Sequence, residues 1–421
     1  MKHYDSYKPS GISWIGEIPT HWRNLYLFQL AKEHNMSNKE VHHQNLLSLS
    51  YGRIIRRDIN KIEGLLPASF DTYQIVEPGN IVMRLTDLQN DHKSLRVGLV
   101  KEEGIVTSAY VVMEVTDAVI PDYFYLLLHS YDIKKVFYSM GGGLRQNLNY
   151  DGLRKLNIPV PTLDEQEKIV EFLTKKMALI ESQQKDRECE IQLLNELRQA
   201  EIANVVSRGL NPDVPMKVAK TLLGEEIPHS CSLIRMRNLV KEQTELVGDR
   251  TSFPLLSLTK GGVILRDVES GKGKFPKDFQ KYKVVVPNDI IFCLFDIDET
   301  PRTVGLSSYN GMITGAYDVF SINEKLVIKD FLYYYFLAVD NIKALRPYYT
   351  GLRKVVQGST FLGLQIPVPP VEEQKAIVEY IQQKNAAIDE MIANLRAEID
   401  FLTEYKQRLI ADVVTGQLKV D

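Results

Sequence analysis

Two hydrophobic patterns alternate along the chain. Short apolar runs separated by turn residues fill the stretch up to residue 160 and again residues 211–368, and each stretch precedes a long segment with apolar residues at helical spacing. The runs that most clearly predict β-strands are residues 73–76, 81–83, 110–113, 284–286 and 290–292. Residues 121–136 predict a helix, with Pro121 at its start. Each globular stretch is therefore predicted to mix α-helix and β-sheet.

The two long segments predict uninterrupted helices. The first opens with Thr162 and Glu165, which fit a capping box, whereas the second opens with Pro370 and keeps only acidic residues in its first turn. Neither segment contains Gly or Pro before about Ser207 and Thr415, and glycine follows each. A helix of about 45 residues spans roughly 65 Å, so its apolar stripe needs another long surface. We predict that this surface is the other helix, lying antiparallel.

Apolar residues that step by three, four or seven predict where these helices pack. In the first helix the predicted packing positions are Ile169, Leu173, Ile180, Ile191, Leu194 and Leu197. In the second helix they are Ile377, Ile381, Ile388, Met391, Leu395, Ile399, Leu402, Leu409 and Val413. The second series contains one four-four irregularity near Leu395, which an unbroken heptad pattern would not have.

The whole chain repeats once. Leu-Asn-Ile-Pro-Val-Pro at 156–161 recurs as Leu-Gln-Ile-Pro-Val-Pro at 364–369, and the match continues without a gap through the long helices. Earlier blocks recur in the same order, whereas residues 87–97 and 296–304 share little. A repeated frame with divergent surface segments predicts two modules that do one job on two different targets.

Composition is that of an ordinary globular protein and leaves the function open. Hydrophobic residues make up 44% and charged residues 25% of the 421 residues, and a net charge of −3 neither favours nor excludes a nucleic-acid partner. The first eleven residues lack the apolar core of a signal peptide, and the most apolar stretch is too short to span a membrane. Three scattered cysteines indicate reduced thiols in a cytoplasmic protein, and we expect them to be small buried apolar residues.

Basic residues beside glycine-containing loops are the candidate nucleic-acid contacts, because arginine can bridge guanine acceptors and lysine can neutralise phosphates. The candidates in the first half are Arg53, Arg56, Arg57, Arg84 and Arg145. The candidates in the second half are Arg266, Lys272, Lys274, Arg302, Arg353 and Lys354. Arg57 and Arg266 are equivalent in the repeat, which would equally fit ion pairs with Asp58 and Asp267. For each candidate the alternative is an ordinary solvated surface residue.

Glycine-containing loops precede the repeated Ile-Pro-Val-Pro in both halves. They span Gly141 to Asn147 and Gly351 to Lys354. Glycine lets backbone amides approach phosphates, and we hypothesise that Arg145 and Arg353 add to such contacts. The alternative is a turn that merely closes the domain.

No arrangement of residues predicts catalysis. The three consecutive glycines at 141–143 lack the spacing of a cofactor- or phosphate-binding loop, and no metal-ligand spacing or nucleophile motif is present. Asp122 and the run Asp132-Ile133-Lys134 resemble a nuclease metal site in composition. Both lie on one predicted helix, whereas such a site needs strands that bring the carboxylates together. We predict no cofactor, no metal and no enzymatic activity in this chain.

These features resemble the specificity subunit of Type I restriction-modification systems over essentially the whole chain. The similar blocks are the opening at 10–22, the junction at 209–217, and the Ile-Pro-Val-Pro, Glu-Gln and long-helix segment of each half. The second opening, at 223–231, departs from this pattern because it has no Trp.

The resemblance implies that each globular part is a target recognition domain, which binds one half of a bipartite asymmetric site in double-stranded DNA. It implies that the helices set the gap between the half-sites and dock two modification (methyltransferase) subunits. It further implies that restriction (nuclease and translocase) subunits join the complex and that this chain is not catalytic.

The predicted fold is α+β, with two pseudo-symmetric mixed α/β target recognition domains separated by a pair of long antiparallel coiled-coil helices. We expect target recognition domain 1 at residues 1–160, spacer helix 1 at 161–210, target recognition domain 2 at 211–368 and spacer helix 2 at 369–421. The alternative function is a protein-only scaffold whose two modules bind peptides or subunits across a coiled-coil strut. DNA binding by the assembled complex separates the two.

Overall fold

The chain forms two structural units. The computed structural model describes residues 2–41, 43–58, 69–91, 94–142, 147–248, 253–266 and 279–420. Unit 1 comprises Met1–Arg187 together with Arg396–Asp421, and unit 2 comprises Glu188–Leu395. Each unit therefore combines one globular half of the repeat with part of both long helices.

The first half of the repeat contains short strands, three short or medium helices and one long helix. Its strands are β1 (Tyr7–Pro9), β2 (Glu17–Pro19), β3 (Arg23–Tyr26), β4 (Ala31–Glu33), β5 (Met36–Ser37), β6 (Leu47–Ser50), β7 (Arg53–Arg56), β8 (Gln74–Val76), β9 (Ile81–Met83), β10 (Val97–Leu99), β11 (Gly104–Val106), β12 (Val111–Val115) and β13 (Asn157–Val160). Its helices are α1 (Leu27–Leu30), α2 (Pro121–Ile133), α3 (Tyr150–Leu153) and α4 (Leu163–Arg208), with a 3₁₀ turn at Val136–Ser139.

The second half repeats this series of elements. Its strands are β14 (Met216–Val218), β15 (Glu226–Pro228), β16 (Ser232–Arg235), β17 (Val240–Glu242), β18 (Leu256–Thr259), β19 (Gly262–Leu265), β20 (Lys283–Val285), β21 (Ile290–Phe292), β22 (Val304–Leu306), β23 (Gly311–Ile313), β24 (Asp318–Ile322) and β25 (Gln365–Val368). Its helices are α5 (Met236–Leu239), α6 (Lys329–Asn341), α7 (Gly358–Gly363) and α8 (Val371–Val414), with a 3₁₀ turn at Arg346–Tyr348.

The main sheet and the hairpin beside it have the same topology in both halves, whereas the sheet β11-β8-β5 has a third strand that β20-β23 lacks. A four-stranded antiparallel sheet has the order β10-β9-β12-β4 in unit 1 and β22-β21-β24-β17 in unit 2. Equivalent hairpins, β6-β7 and β18-β19, lie beside it, and β13 and β25 pair with β3 and β16. The repeat of sequence is therefore a repeat of structure, and the predicted α+β fold is confirmed.

The main core of each unit lies between the four-stranded sheet, its medium helix and the long helices. In unit 1 one buried cluster joins Met113 of β12, Phe124 of α2, Leu173 of α4 and Val413 of α8. The corresponding cluster of unit 2 draws on β24, α6, α8 and α4, for example Phe320, Phe336, Ile381 and Val205. Both long helices are therefore part of the core of each unit, and burial of each such side chain stabilises the fold by about 1.5–3 kcal/mol.

Within each unit the two long helices pack antiparallel along a regular heptad seam. The buried or half-buried seam residues of α8 are Ile381, Ile388, Ile392, Leu395, Ile399, Leu402 and Leu409. Successive residues in this series are three, four or seven positions apart, and the steps of three and four alternate as a heptad pattern requires. The predicted irregularity near Leu395 is therefore wrong. The error arose from Met391, which is 49% exposed, whereas its neighbour Ile392 is buried. Leu197 of α4, also predicted in the seam, is likewise 49% exposed.

The remaining predicted packing residues lie on the inward face of their helices. Those that are buried are Ile169, Leu173, Ile180, Ile377, Ile381, Ile388, Leu409 and Val413. Those that are half-buried are Ile191, Leu194, Leu395, Ile399 and Leu402.

Polar residues interrupt the apolar seam at matched places. In unit 1, Lys406 Nζ of α8 donates to Glu181 Oε1 of α4 over 2.5 Å. In unit 2, Arg198 of α4 pairs with Asp389 of α8, at the positions that the repeat makes equivalent. Both pairs are partly solvated, so each contributes only about 0–1 kcal/mol. Their effect is on register, because a shifted helix would place these charges against apolar seam residues.

Gln184 adds an interhelical hydrogen bond in unit 1. Its Nε2 donates to Thr403 Oγ1 over 2.8 Å. The polar stretch of the first helix is therefore matched to polar groups on the second.

A buried glutamine attaches each long helix to its globular half. Gln166 Oε1 accepts from the amide of Ile120 over 2.8 Å, and its Nε2 donates to the carbonyl of Pro161 over 3.1 Å. Gln374 makes the same two contacts in unit 2, at 2.7 and 2.9 Å. An apolar side chain would leave these buried groups unpaired at about 1–3 kcal/mol each, which explains why Glu-Gln recurs at the start of both helices.

The helix ends follow the sequence signals. Thr162 Oγ1 accepts from the amide of Glu165 over 3.3 Å, and the amide of Thr162 donates to Glu165 Oε2 over 3.4 Å, so the predicted capping box forms. Gly209 and Gly416 follow the two helices with φ of 78° and 76°, a left-handed conformation that closes a helix and favours glycine.

One prediction about the cysteines is wrong. Cys231 and Cys293 are buried, but Cys189 is exposed because it lies on the outward face of α4. Among the described residues, no helix combines the length and apolar character that a membrane span requires.

Candidate nucleic-acid interface

The hairpin β6-β7 carries three of the candidate arginines of unit 1, and all three are exposed. Arg56 Nε donates to Glu102 Oε2 over 2.6 Å, and this bond lowers the pKa of the Glu102 carboxyl. Arg53 lies 3.2 Å from Glu181 of α4. The third, Arg57, directly follows β7.

Arg57 differs from its two neighbours on the hairpin. Its amide donates to the carbonyl of Leu46 over 2.8 Å, which fixes its backbone. In the part of the chain that the structure describes, no ion pair joins its guanidinium to Asp58. The arginine–aspartate alternative therefore has no support in unit 1, where the Arg57 side chain is exposed, and the pairing of Arg266 with Asp267 lies outside the described residues.

The equivalent hairpin of unit 2 has a different exposed surface. Gly262 and Leu265 stand where unit 1 has Arg53 and Arg56, and Leu265 is 49% exposed. Arg266 follows β19 as Arg57 follows β7, and its amide donates to the carbonyl of Leu255 over 2.8 Å. The exposed side chains of the two hairpins thus differ while their backbone attachment is the same.

A glycine of the sheet lies beneath each hairpin. A Cβ on Gly98 of β10 would lie 2.6 Å from Leu49 Cδ1, and a Cβ on Gly305 of β22 would lie 2.6 Å from Leu258 Cδ1. Only glycine lets the hairpin pack this closely on the sheet. The frame is therefore repeated where it is buried and varied where it is exposed.

A second pair of loops meets in each half. In unit 1 the amide of Leu148 donates to the carbonyl of Leu85 over 2.9 Å. In unit 2 the amide of Val356 donates to the carbonyl of Leu294 over 2.8 Å. These contacts join the loop after β9 or β21 to the glycine-containing loop that precedes Ile-Pro-Val-Pro.

A buried arginine that the sequence analysis missed organises the first of these loops. Arg96 has no exposed surface, and its guanidinium donates to the carbonyls of Arg84 (3.1 Å) and Thr86 (2.8 Å) and to the Tyr138 hydroxyl (2.9 Å). Its amide donates to Asp132 Oδ2 over 2.6 Å. The available signal was Asp132 of α2, because an aspartate recurs at the equivalent, buried place of α6.

That equivalent residue, Asp340, holds the corresponding loop of unit 2. It is 4% exposed and accepts from Thr303 Oγ1 over 2.7 Å and from Lys343 Nζ over 2.8 Å. Arg302 lies 3.2 Å from it and also donates to Asn341 Oδ1 over 3.0 Å. The guanidinium of Arg302, a candidate DNA contact, is therefore occupied within the fold.

Basic residues of unit 2 gather around Asp298. Arg346 Nε lies 2.8 Å from Asp298 Oδ1, Lys354 Nζ lies 3.1 Å from Oδ2, and the Tyr349 hydroxyl donates over 3.2 Å. Hydrogen bonds from Arg346 and Lys354 lower the pKa of Asp298 to about 2. Arg353 lies beside this cluster with its side chain exposed.

The remaining candidates are placed as follows. Arg84 follows β9 and is half-buried, whereas Arg145, Lys272 and Lys274 lie outside the described residues. The two parts of the nuclease-like pattern, Asp122 and Asp132, both lie on α2, as predicted.

A cleft of about 820 Å³ in unit 1 lies behind the arginine hairpin. Its walls include Gly52 and Arg53 of the hairpin, Tyr125 and His129 of α2, and Lys406 of α8. The Tyr125 hydroxyl donates to the carbonyl of Gly52 over 3.1 Å, so α2 supports the hairpin turn. His129 Nδ1 is buried with no hydrogen-bond partner among the described residues.

The environment of His129 opposes its protonation. Burial, with a further contribution from the charge of Lys406, lowers the pKa of this imidazole to about 4. The equivalent residue of α6 is Leu337, so this position holds an apolar residue in the second half of the repeat and a histidine in the first.

Comparison with known proteins agrees with this duplicated architecture. The family model of the Type I restriction modification DNA specificity domain matches residues 96–192 and 260–400, which is more than half of the chain. The chain therefore belongs to this family.

Two relatives from Methanocaldococcus jannaschii are similar over most of their length. The chain is 26% identical over 312 residues to a protein described as the type I restriction enzyme MjaX specificity subunit, covering 71% of this chain and 68% of the relative. It is 23% identical over 349 residues to the type I restriction enzyme MjaVIII specificity subunit, covering 76% and 75%.

Solved structures share the fold at low sequence identity. A chain from a type I R-M system, solved to explain its assembly and conformational transition, matches with a TM-score of 0.64 at 14% identity, covering 95% of this chain and 99% of that chain. The HsdS subunit from Thermoanaerobacter tengcongensis matches with a TM-score of 0.50 at 15% identity, covering 95% and 98%.

The buried imidazole makes the stability of unit 1 depend on pH. With the unfolded pKa near 6.5, both states are neutral at about pH 7, but below that only the unfolded chain gains a proton until the pH approaches 4. Unfolding free energy should therefore fall by about 2 kcal/mol between about pH 7 and pH 5 because of His129. Over the same pH interval, the unfolding free energy of His129→Leu should fall by about 2 kcal/mol less than that of the wild type.

Urea unfolding followed by tryptophan fluorescence measures this effect, because both tryptophans, Trp14 and Trp22, belong to unit 1. The exposed His229 of unit 2 supplies the control variant His229→Leu. Equal pH sensitivity in the wild type and in His129→Leu would contradict the prediction.

Proposed function

We propose that this chain is the DNA-specificity subunit of a type I restriction-modification complex and is itself not catalytic. Each recognition domain, at residues 1–160 and 211–368, binds one half of a bipartite asymmetric site in double-stranded DNA. The long helices, at residues 161–210 and 369–421, set the gap and dock two modification (methyltransferase) subunits, and restriction subunits join this complex. The observation that carries the proposal is one frame present twice with different exposed surfaces.

The hairpins support recognition of two different half-sites. The exposed positions held by Arg53 and Arg56 in unit 1 are Gly262 and Leu265 in unit 2, so the hydrogen-bonding groups offered to base edges differ. Arg57 and Arg266 keep the same place in both hairpins. We assign to each a contact with a base of its own half-site, since an arginine side chain can bridge the two acceptors of guanine.

The helices support a fixed gap. Both α4 and α8 are continuous, with 46 and 44 residues, and their matched polar seam contacts oppose sliding of one helix along the other. A rigid spacer selects half-sites at one separation, whereas a flexible linker would accept many.

Exposed apolar residues support docking of two identical partners. Leu193 and Leu197 of α4 are 58% and 49% exposed, and Phe401 and Tyr405 of α8, at the equivalent positions of the repeat, are 67% and 39% exposed. Apolar side chains one helical turn apart form a face that water solvates poorly. Because the same face occurs once in each unit, it fits two copies of one partner, and we assign it to the modification subunit.

The recognition test uses the complex with its modification subunits and duplexes in which one half-site is scrambled at a time. Arg57→Ala is expected to lower affinity for the intact site by about 1–3 kcal/mol, measured by fluorescence anisotropy. This loss should disappear when the half-site of unit 1 is scrambled and persist when the other is scrambled. Arg266→Ala should behave reciprocally.

The exposed Arg408 of α8 provides the matched control Arg408→Ala, which should leave DNA affinity unchanged. Losses from Arg57→Ala and Arg266→Ala that do not depend on which half-site is scrambled would contradict the assignment of one half-site to each unit. Absence of any DNA binding by the wild-type complex would favour the protein-only scaffold.

The docking faces predict the stoichiometry of the complex. Leu193→Asp with Leu197→Asp should reduce the bound modification subunits from two to one, and Phe401→Asp with Tyr405→Asp should do the same, because a charge cannot be buried unpaired in an apolar contact. The combination of all four should bind none. Native mass spectrometry counts the subunits directly.

The control pair is Glu196→Ala with Glu404→Ala, which are exposed residues at equivalent positions on the same helices. These variants should retain two modification subunits. Two subunits bound to the four-residue variant would show that the modification subunits dock elsewhere.

A further inference from the structure

The turn before Ile-Pro-Val-Pro in unit 2 presents an apolar side chain at its tip. Leu352 is fully exposed (104%) and lies between Gly351 and the cations Arg353 and Lys354. We propose that Leu352 makes an apolar contact with a base of the half-site bound by unit 2. This inference rests on the proposed function and assigns a specificity-determining residue within it.

The tip is held in place before any ligand arrives. Thr350 and Val355 exchange two backbone hydrogen bonds of 2.9 and 3.0 Å, and the amide of Lys354 donates to the carbonyl of Gly351 over 3.2 Å. Gly351 and Lys354 adopt φ of 70° and 46°, the left-handed conformation that a tight turn of this kind uses. Leu352 is thus exposed on a defined turn.

Two further contacts fasten this turn to the loop after β21. The amide of Asp296 donates to the carbonyl of Arg353 over 3.0 Å, and Lys354 Nζ bonds Asp298 Oδ2 over 3.1 Å. A side chain on such a support loses little conformational freedom when it enters a groove, which favours binding.

The charge around the tip favours DNA as its partner. Arg353 and Lys354 follow Leu352 in the turn, and Arg346 shares the carboxylate of Asp298 with Lys354. A cationic rim attracts phosphates, while an apolar side chain at its centre suits a thymine methyl group or the gap between two base steps.

The repeat adds an independent observation. Exposed residues differ widely between the two halves, yet Gly-Leu-Arg occurs at 143–145 as well as at 351–353. The bridge that closes the turn is also repeated, since Gly142 and Asn147 pair as Thr350 and Val355 do. Leu352 is exposed and has no role in the core, so the recurrence of Gly-Leu-Arg in the sequence of the first half favours a role in binding.

A base contact and a phosphate contact predict different results. Leu352→Ala should lower affinity for the target duplex about tenfold, with no change for a duplex whose half-sites are scrambled. Arg353→Ala should weaken binding to both duplexes and reduce the salt slope by about one. Leu352→Met, which keeps the apolar volume, should bind the target nearly as the wild type does.

The experiment measures fluorescence anisotropy of the complete complex with its modification subunits, between about 50 and 200 mM salt. Equal affinity of Leu352→Ala and the wild type for the target would overturn the inference. So would an equal loss on the scrambled duplex, or loss of a modification subunit from the variant complex in native mass spectrometry. A wild-type complex that does not discriminate target from scrambled DNA would instead overturn the proposed function.

Modified duplexes then locate the contact. Either one thymine-to-uracil replacement in the half-site of unit 2 should weaken the wild type but not Leu352→Ala, or a 2-aminopurine at one step should brighten only when the wild type binds. The first result identifies a methyl contact and the second an unstacked step. If neither result were observed at any position, the inference would be overturned.

Discussion

Each unit depends on the antiparallel contact between part of one long helix and the opposite part of the other. The apolar stripe of a helix this long cannot be covered by a small globular domain, so it must pack on another helix. In unit 1 the end of α8 supplies Leu409 and Val413 to the core that α2 and α4 also form. Residues near the end of the sequence thus complete the core of the first unit, and the seam joins the two halves of the repeat in one fold.

That constraint separates the parts of the chain that can vary from the parts that cannot. Gln166 and Gln374 and the buried aspartates of α2 and α6 repeat because they bond the same buried groups in both units. The glycines beneath the hairpins repeat because a side chain there would crowd the same leucines. The hairpin surfaces are free of this requirement, and they differ. This division between frame and surface is the one that the proposed function requires.

Much of the frame was predictable from sequence because it rests on local or periodic signals. The repeat, the bounds of both long helices and the capping box at Thr162 all followed from residue types at fixed spacing. The choice between Met391 and Ile392 did not, since adjacent apolar residues fit a helical stripe equally well until the partner helix selects one. Arg96 had only an indirect signal, the aspartate that recurs at equivalent places of α2 and α6, because a buried arginine looks like a surface residue until its carbonyl partners are brought together by the fold.

The candidate interface was predictable only in outline. The sequence located Arg57 and Arg353 beside loops, but only the fold distinguishes their exposed side chains from that of Arg302, which bonds Asp340 and Asn341. The exposure of Leu352 likewise follows from the geometry of its turn. Which side chains face a ligand is decided by contacts between segments far apart in sequence.

The most direct test of the central claim is methylation mapping across the genome of cells that carry this chain with its modification and restriction subunits. The account predicts methylation at one asymmetric motif made of two different specified half-sites, separated by a gap of constant length and unspecified sequence. A single continuous motif, a symmetric motif with identical halves, or half-sites at several separations would contradict it.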